Sequence, residues 1–99
     1  MDTYQKNIVA GTSMQWAVGD NRKDAYILGT YTATRGQLRQ SGRLEIDSLG
    51  AYSSSFVGAD CGLTIDGSLS GNKILIKATV DSMDAYPTSF KMKLTKSKI

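Results

Sequence analysis

The sequence predicts an all-β protein folded as one domain. Three observations carry that reading. Apolar and polar residues alternate with period two along most of the chain, and no apolar stripe of helical spacing lasts beyond about two turns. Clusters of Gly, Asn, Asp and Ser punctuate the alternating stretches at spacings of roughly 8–12 residues. The 99 residues suffice for one hydrophobic core and not for two.

Gln5 to Ala10 is the first and weakest strand expected. Ser13 to Val18 follows, with Met14, Trp16 and Val18 on one face. Gly19 to Asp24 is a polar turn. The longest strand signal runs from Ala25 to Thr34 and is rich in Tyr, Ile and Thr. Ile27, Gly29, Tyr31 and Ala33 share one of its faces, and Tyr26, Leu28, Thr30 and Thr32 the other. A glycine at position 29, inside a strand, implies a bend or a close backbone neighbour.

Arg35 to Gly42 reads as a charged loop. Arg43 to Asp47 alternates, with Leu44 and Ile46 inward, and Ala51 to Val57 forms another strand with Tyr52 and Phe56 on one side. Cys61, Leu63, Ile65 and Leu69 then share a face, with Gly67 as a bulge. Gly71-Asn72 is a two-residue hairpin signal. Lys73 to Val80 returns with Ile74, Ile76, Ala78 and Val80 inward. Asp81 to Thr88 is a loop with room for one helical turn, and Phe90, Met92 and Leu94 close the core. Seven or eight strands linked by short turns predict an antiparallel meander, closed or nearly closed into a barrel, with a β-sandwich as the alternative. A barrel of that size is filled by side chains or holds one small ligand.

The formal net charge is +3, and it is unevenly placed. Beyond residue 70 every basic residue is a lysine (Lys73, Lys77, Lys91, Lys93, Lys96 and Lys98), opposed by Asp81 and Asp84 alone. Such a segment either meets an acidic protein, an anionic membrane or nucleic acid, or guards an edge strand against association.

The chain contains no histidine, so it lacks the usual general base at neutral pH and the commonest metal ligand. Cys61 has no second cysteine to bridge. It reads as a small buried hydrophobe in preference to a nucleophile, which would need an activating base. Glu45 and Asp47 stand two apart on one strand face, roughly 6–7 Å by strand rise, a separation also found between glycosidase carboxylates. A solvated strand face produces the same pattern. Asp60, Asp66, Asp81 and Asp84 are the residues for a calcium site, but no calcium-loop spacing is present, and Asp81 and Asp84 read as turn caps. Neither a phosphate loop nor a dinucleotide fingerprint occurs, and no cofactor is implied. No apolar run approaches the roughly 20 residues of a membrane helix.

The aromatic side chains of Trp16, Tyr26 and Tyr31 belong either to the core or to a barrel mouth or interface. Arg35, Gln37, Arg39, Gln40 and Arg43 form a basic segment between strands. Loops on a rigid scaffold carry function disproportionately. The candidate binding residues are therefore Arg35, Gln37, Arg39 and Arg43, joined by Lys91 and Lys93 of the final strand.

Gly29-Thr30-Tyr31, Gly42-Arg43-Leu44-Glu45-Ile46, Gly50-Ala51-Tyr52 and the strand from Cys61 to Gly71 resemble the glycine and aromatic spacing of small bacterial calycin-like and lysozyme-inhibitor-like β-barrel domains. The latter usually carry paired cysteines, whereas Cys61 is alone. Lipocalins carry Gly-x-Trp on the first strand, whereas Met14 precedes Trp16. The resemblance implies a barrel fold and an envelope or secreted binding role, and it transfers no site residues.

The expectation is thus a non-catalytic module that binds or inhibits another macromolecule, foremost a protein, or holds a small apolar ligand. It would be periplasmic or secreted if Met1 precedes a trimmed mature chain. The alternative is a small cytosolic protein, of a kind phages encode, whose basic surface engages a protein–nucleic-acid complex.

Overall fold

A computed structural model describes residues Met1–Ile99. Eight strands and no helix are present: β1 (Asp2–Ile8), β2 (Ser13–Asp20), β3 (Asp24–Arg35), β4 (Leu38–Asp47), β5 (Tyr52–Gly58), β6 (Leu63–Ser70), β7 (Lys73–Val80) and β8 (Thr88–Lys98). They form two antiparallel sheets, one of five strands in the order β1-β8-β3-β4-β5 and one of three in the order β2-β7-β6.

Neither sheet closes on itself, so the barrel expectation gives way to an open sandwich. The reason lies in the connections. The chain passes between sheets at β1–β2, β2–β3, β5–β6 and β7–β8, and at each crossing the strands part without pairing. The meander survives within β3-β4-β5 and β6-β7, while β8 returns to insert between β1 and β3. The lysine-rich β8 is therefore paired on both sides and guards no edge.

The core follows the parity read from the sequence. Ile27, Tyr31, Ala33, Leu44, Ile46, Phe90, Met92 and Leu94 of the larger sheet face Val18, Ile65, Ile74, Ile76, Ala78 and Val80 of the smaller. An aromatic series fills one end, with ring centroids of Tyr4 and Trp16 6.3 Å apart, Trp16 and Phe90 5.6 Å apart, and Phe90 and Tyr31 5.7 Å apart. Such offset pairs add to the stabilisation from their apolar burial. Tyr31 is thus core, whereas Tyr26, of opposite parity, is exposed.

Glycines allow close approach, at Gly29 to the Lys93 carbonyl of β8 as its place within a strand implied, and at Gly42 and Gly67 to side chains. An added Cβ at Gly42 would lie 2.5 Å from Tyr31 Cε1, because the Tyr31 ring covers its cross-strand partner. Gly67 is not a bulge, since its register with β7 is regular. A Cβ there would meet Ile46 Cδ1 at 2.5 Å, so the glycine serves contact between the sheets. The register shifts lie instead between Ala17 and Gly19 in β2 and between Asp24 and Tyr26 in β3, flanking the crossover joining them.

The segment expected as a loop from Arg35 to Gly42 is a tight β3–β4 hairpin. Arg35 pairs with Leu38, and Gly36-Gln37 forms the turn. Gly36 has φ 58°, the conformation that a two-residue turn with Gly in first position requires. The Gly71-Asn72 hairpin is present as expected, with Gly71 at φ 60°.

Candidate binding face

The outer face of the five-stranded sheet collects residues from separate parts of the sequence. In β4 the odd positions Arg39, Ser41, Arg43 and Glu45 point outward, and in β8 the odd positions Ser89, Lys91, Lys93 and Thr95 do so. Between them β3 contributes Leu28, Thr30, Thr32 and Thr34.

Register sets these residues in rows across the sheet. One row runs Thr3, Lys93, Thr30, Arg43, Ser55. The next runs Gln5, Lys91, Thr32, Ser41, Val57. Lys93 and Arg43 therefore flank Thr30 from opposite sides, about 10 Å apart by two strand spacings. Arg39 lies further along β4, opposite Thr34. A shallow hollow of 230 Å³ is lined by Thr30, Tyr31, Thr32, Lys91 and Lys93.

Arg39, Arg43, Lys91 and Lys93 are exposed, and none joins any of the five ion pairs in the molecule. The face is polarised. Beyond the Arg43 row come Leu28, Glu45, Tyr26 and Asp47, with Leu28 and Tyr26 42% and 47% exposed. No aromatic side chain stands among the exposed cations of the basic half.

The other candidates lie elsewhere. Gln37 is exposed at the hairpin tip. Arg35 is 3% exposed and is not a contact residue. It continues the inward series Tyr31, Ala33, Arg35, and its guanidinium is enclosed at the end of the sandwich. Arg35 Nε donates to the Tyr86 carbonyl at 3.0 Å, Nη1 to the Cys61 carbonyl at 3.0 Å and to Asp81 Oδ1 at 2.6 Å. Nη2 donates to the carbonyls of Asp81 at 2.9 Å and Asp84 at 3.2 Å. These bonds organise residues 81–87, which contain no helical turn.

Gln40 is buried as well. Its Nε2 donates to the Tyr31 hydroxyl at 2.9 Å, and its Oε1 accepts from Cys61 N–H at 2.8 Å. Cys61 is 1% exposed. Burial, with the nearby Asp60 charge, pushes its thiol pKa up, away from a nucleophilic thiolate.

The aspartates are committed separately. Asp60 caps Gly62 N–H at 2.8 Å, and Asp66 accepts from the Tyr52 hydroxyl at 3.0 Å. Asp81 and Asp84 cap the N–H groups of Met83 at 3.3 Å and Tyr86 at 2.8 Å. The Arg35 hydrogen bond holds the Asp81 carboxyl below the ordinary aspartate range. Asp47 accepts from the N–H groups of Leu49 at 2.8 Å and Ala51 at 3.0 Å, a turn cap beside an exposed Glu45. No group of three or more His, Cys, Asp or Glu side chains is disposed to hold a metal ion.

Sequence reasoning missed Asp24, whose carboxylate is 2% exposed. It accepts from Asp20 N–H at 2.9 Å and from Lys98 Nζ at 2.9 Å. Burial works to raise its pKa, but these donors outweigh burial and lower it. A charged residue at the mouth of a polar turn gives no sequence signal that it turns inward.

No family model matches the chain, and no curated protein matches it. Among solved structures it is similar to the tailspike protein of Acinetobacter phage vB_ApiP_P1, at a TM-score of 0.48 and 14% identity. That likeness covers 98% of this chain and 22% of the tailspike chain.

Proposed function

We propose that this chain is a non-catalytic binding module that holds another protein against the outer face of its five-stranded sheet. The partner presents acidic side chains to Arg43, Lys91 and Lys93. The observation carrying this reading is the registered cluster itself: three exposed cations without ion-pair partners, set around Thr30 and Thr32 on rigid strands. Unpaired cations on a preformed surface gain most from an incoming anionic group. Hydroxyls between them supply hydrogen bonds at little entropic cost, because β-branched threonines have few rotamers to lose.

The polarity of the face favours a protein over nucleic acid. A nucleic-acid track calls for continuous positive charge and, for single strands, stacking aromatics. Here the basic rows stop at Glu45 and Asp47, and the exposed Leu28 and Tyr26 lie at the acidic end. An apolar patch such as Leu28 and Tyr26 bordered by polar and charged residues fits the apolar-core, polar-rim arrangement of a protein interface.

The test uses poly-L-glutamate as an acidic polypeptide probe and a short DNA duplex as the comparison. The native chain binds poly-L-glutamate at low salt, with affinity falling as salt rises. The triple variant Arg43→Gln/Lys91→Gln/Lys93→Gln keeps its fold and binds at least about tenfold more weakly, a change of roughly 1.4 kcal/mol. Equal binding by the triple variant, or tighter binding of DNA than of poly-L-glutamate, would overturn the reading.

A further inference from the structure

The sandwich leaves four strands at sheet edges: β1, β5, β2 and β6. Natural edges are blunted by charge, bulges or cover, because a free row of N–H and C=O groups templates pairing with another chain. Three of the four carry such a device. β1 contains Asp2 and Lys6, β2 ends in Asp20 and is bulged between Ala17 and Gly19, and β6 has Asp66 at its middle. β5, Tyr52-Ser53-Ser54-Ser55-Phe56-Val57-Gly58, has no charge, no proline and no bulge.

The smaller sheet touches β5 only at its start, where the Tyr52 hydroxyl donates to Asp66 of β6 at 3.0 Å and Gly67 lies beside Tyr52 Cβ. Every residue of β5 is exposed, even Tyr52, Ser54 and Phe56, which share the inward parity of Ile46, Leu44 and Gly42 across the ladder. Tyr52 and Phe56 are 45% and 48% exposed.

The free backbone groups can be assigned. The Ala51 carbonyl accepts from Asp47 N–H at 2.9 Å, and Ala59 N–H donates to the Arg39 carbonyl at 2.9 Å. Odd positions of this segment thus turn toward β4. By antiparallel alternation Tyr52, Ser54, Phe56 and Gly58 present their N–H and C=O groups to the open edge.

We infer that two copies of this chain associate by antiparallel pairing of β5 with β5 about a two-fold axis at Ser54. The strand is close to palindromic around that residue, aromatic-Ser-Ser-Ser-aromatic, and an isologous contact needs self-complementarity of this kind. In this register Ser54 meets Ser54 of the second copy, and each Tyr52 meets a Phe56. All of these are positions whose backbone groups face outward, so the pairing forms roughly six main-chain hydrogen bonds. It also makes two cross-strand aromatic pairs, a favourable class. Charge selects the same edge. The chain carries a net charge of +3, and β5 is the one edge strand with no charged side chain, so two copies meet along it without charge repulsion between the paired strands. The result joins two five-stranded sheets into one continuous sheet, with the basic rows of both copies on the same side.

Sedimentation equilibrium of the full chain, from low micromolar to near-millimolar concentration, tests this. The native chain shifts from monomer to dimer mass. Ser54→Pro removes an outward N–H without touching the β4–β5 ladder, a placement that edge strands tolerate, and it stays monomeric with native-like melting. Ser54→Lys sets like charges opposite each other at the two-fold axis and weakens the dimer at least about tenfold. Should the proline variant fail to fold, the lysine variant decides. A native chain monomeric throughout, or a dimer that Ser54→Lys leaves intact, would overturn the inference.

Discussion

Arg35 and Asp81, 46 residues apart, meet at 2.6 Å between Nη1 and Oδ1. The guanidinium is buried, and four backbone carbonyls together with the carboxylates of Asp81 and, at 3.1 Å from Nε, Asp84 surround its donors. One side chain thus ties β3 to the β7–β8 crossover and to the segment before β6. An arginine fork is suited to this arrangement because its donors are fixed in one plane.

Replacing Arg35 by Met removes every one of these bonds and leaves the carbonyls facing an apolar side chain. Unmet buried acceptors are costly. The melting temperature is expected to fall by roughly 10 °C or more, and residues 81–87 to become sensitive to protease. Asp84→Asn, at a half-exposed position, is expected to change melting by far less. Thermal melts of the two variants check the contrast.

Acid should destabilise the protein through specific aspartates. The pKa values of Asp20, Asp24 and Asp81 are all lowered from the ordinary 3.8. A carboxyl with a depressed folded value adds stability that is complete above the unfolded value and is lost as pH falls through the folded value. Denaturant midpoints should therefore be level above about pH 5 and decline below about pH 4. Asp24→Asn should lower the plateau and flatten the decline. An unchanged slope in that variant would show that Asp24 does not contribute to the acid transition.

Gly42 carries a steric prediction. An alanine methyl would press first on the Ser55 carbonyl of β5 and then on the Tyr31 ring, which Phe90 and the Gln40 hydrogen bond hold from other sides. Gly42→Ala should cost about 1–3 kcal/mol by overpacking, read from urea midpoints.

Cys61 should be inert while the chain is folded. Its thiol is buried and its pKa raised. Disulfide-exchange labelling at pH 8 should proceed at least about a hundredfold more slowly in buffer than in denaturant. Comparable rates would show that the β5–β6 crossover opens freely.

Period-two parity made much of this fold legible. Ile27, Tyr31, Ala33, Leu44, Ile46, Ile74, Ile76, Phe90 and Met92 all face inward as their alternation requires. The same parity placed Arg35 inward, but its charge suggested a loop, and only a distant segment could satisfy its donors. Closure was not legible, because alternation sets which face a residue takes and not which sheet its strand joins. The binding face was half legible. Arg43, Lys91 and Lys93 were visible as separate basic elements, and the insertion of β8 beside β3 brought them together. β5 showed its apolar residues in the sequence, but their exposure depends on where the smaller sheet ends.

Which face meets an acidic partner is read from backbone amide NMR shifts during titration with poly-L-glutamate. Perturbations are expected to concentrate at Thr30, Thr32, Ser41, Arg43, Lys91 and Lys93. Perturbations centred on Lys73 and Lys77 of the smaller sheet, or spread evenly over all lysines, would rule out the outer face of the larger sheet.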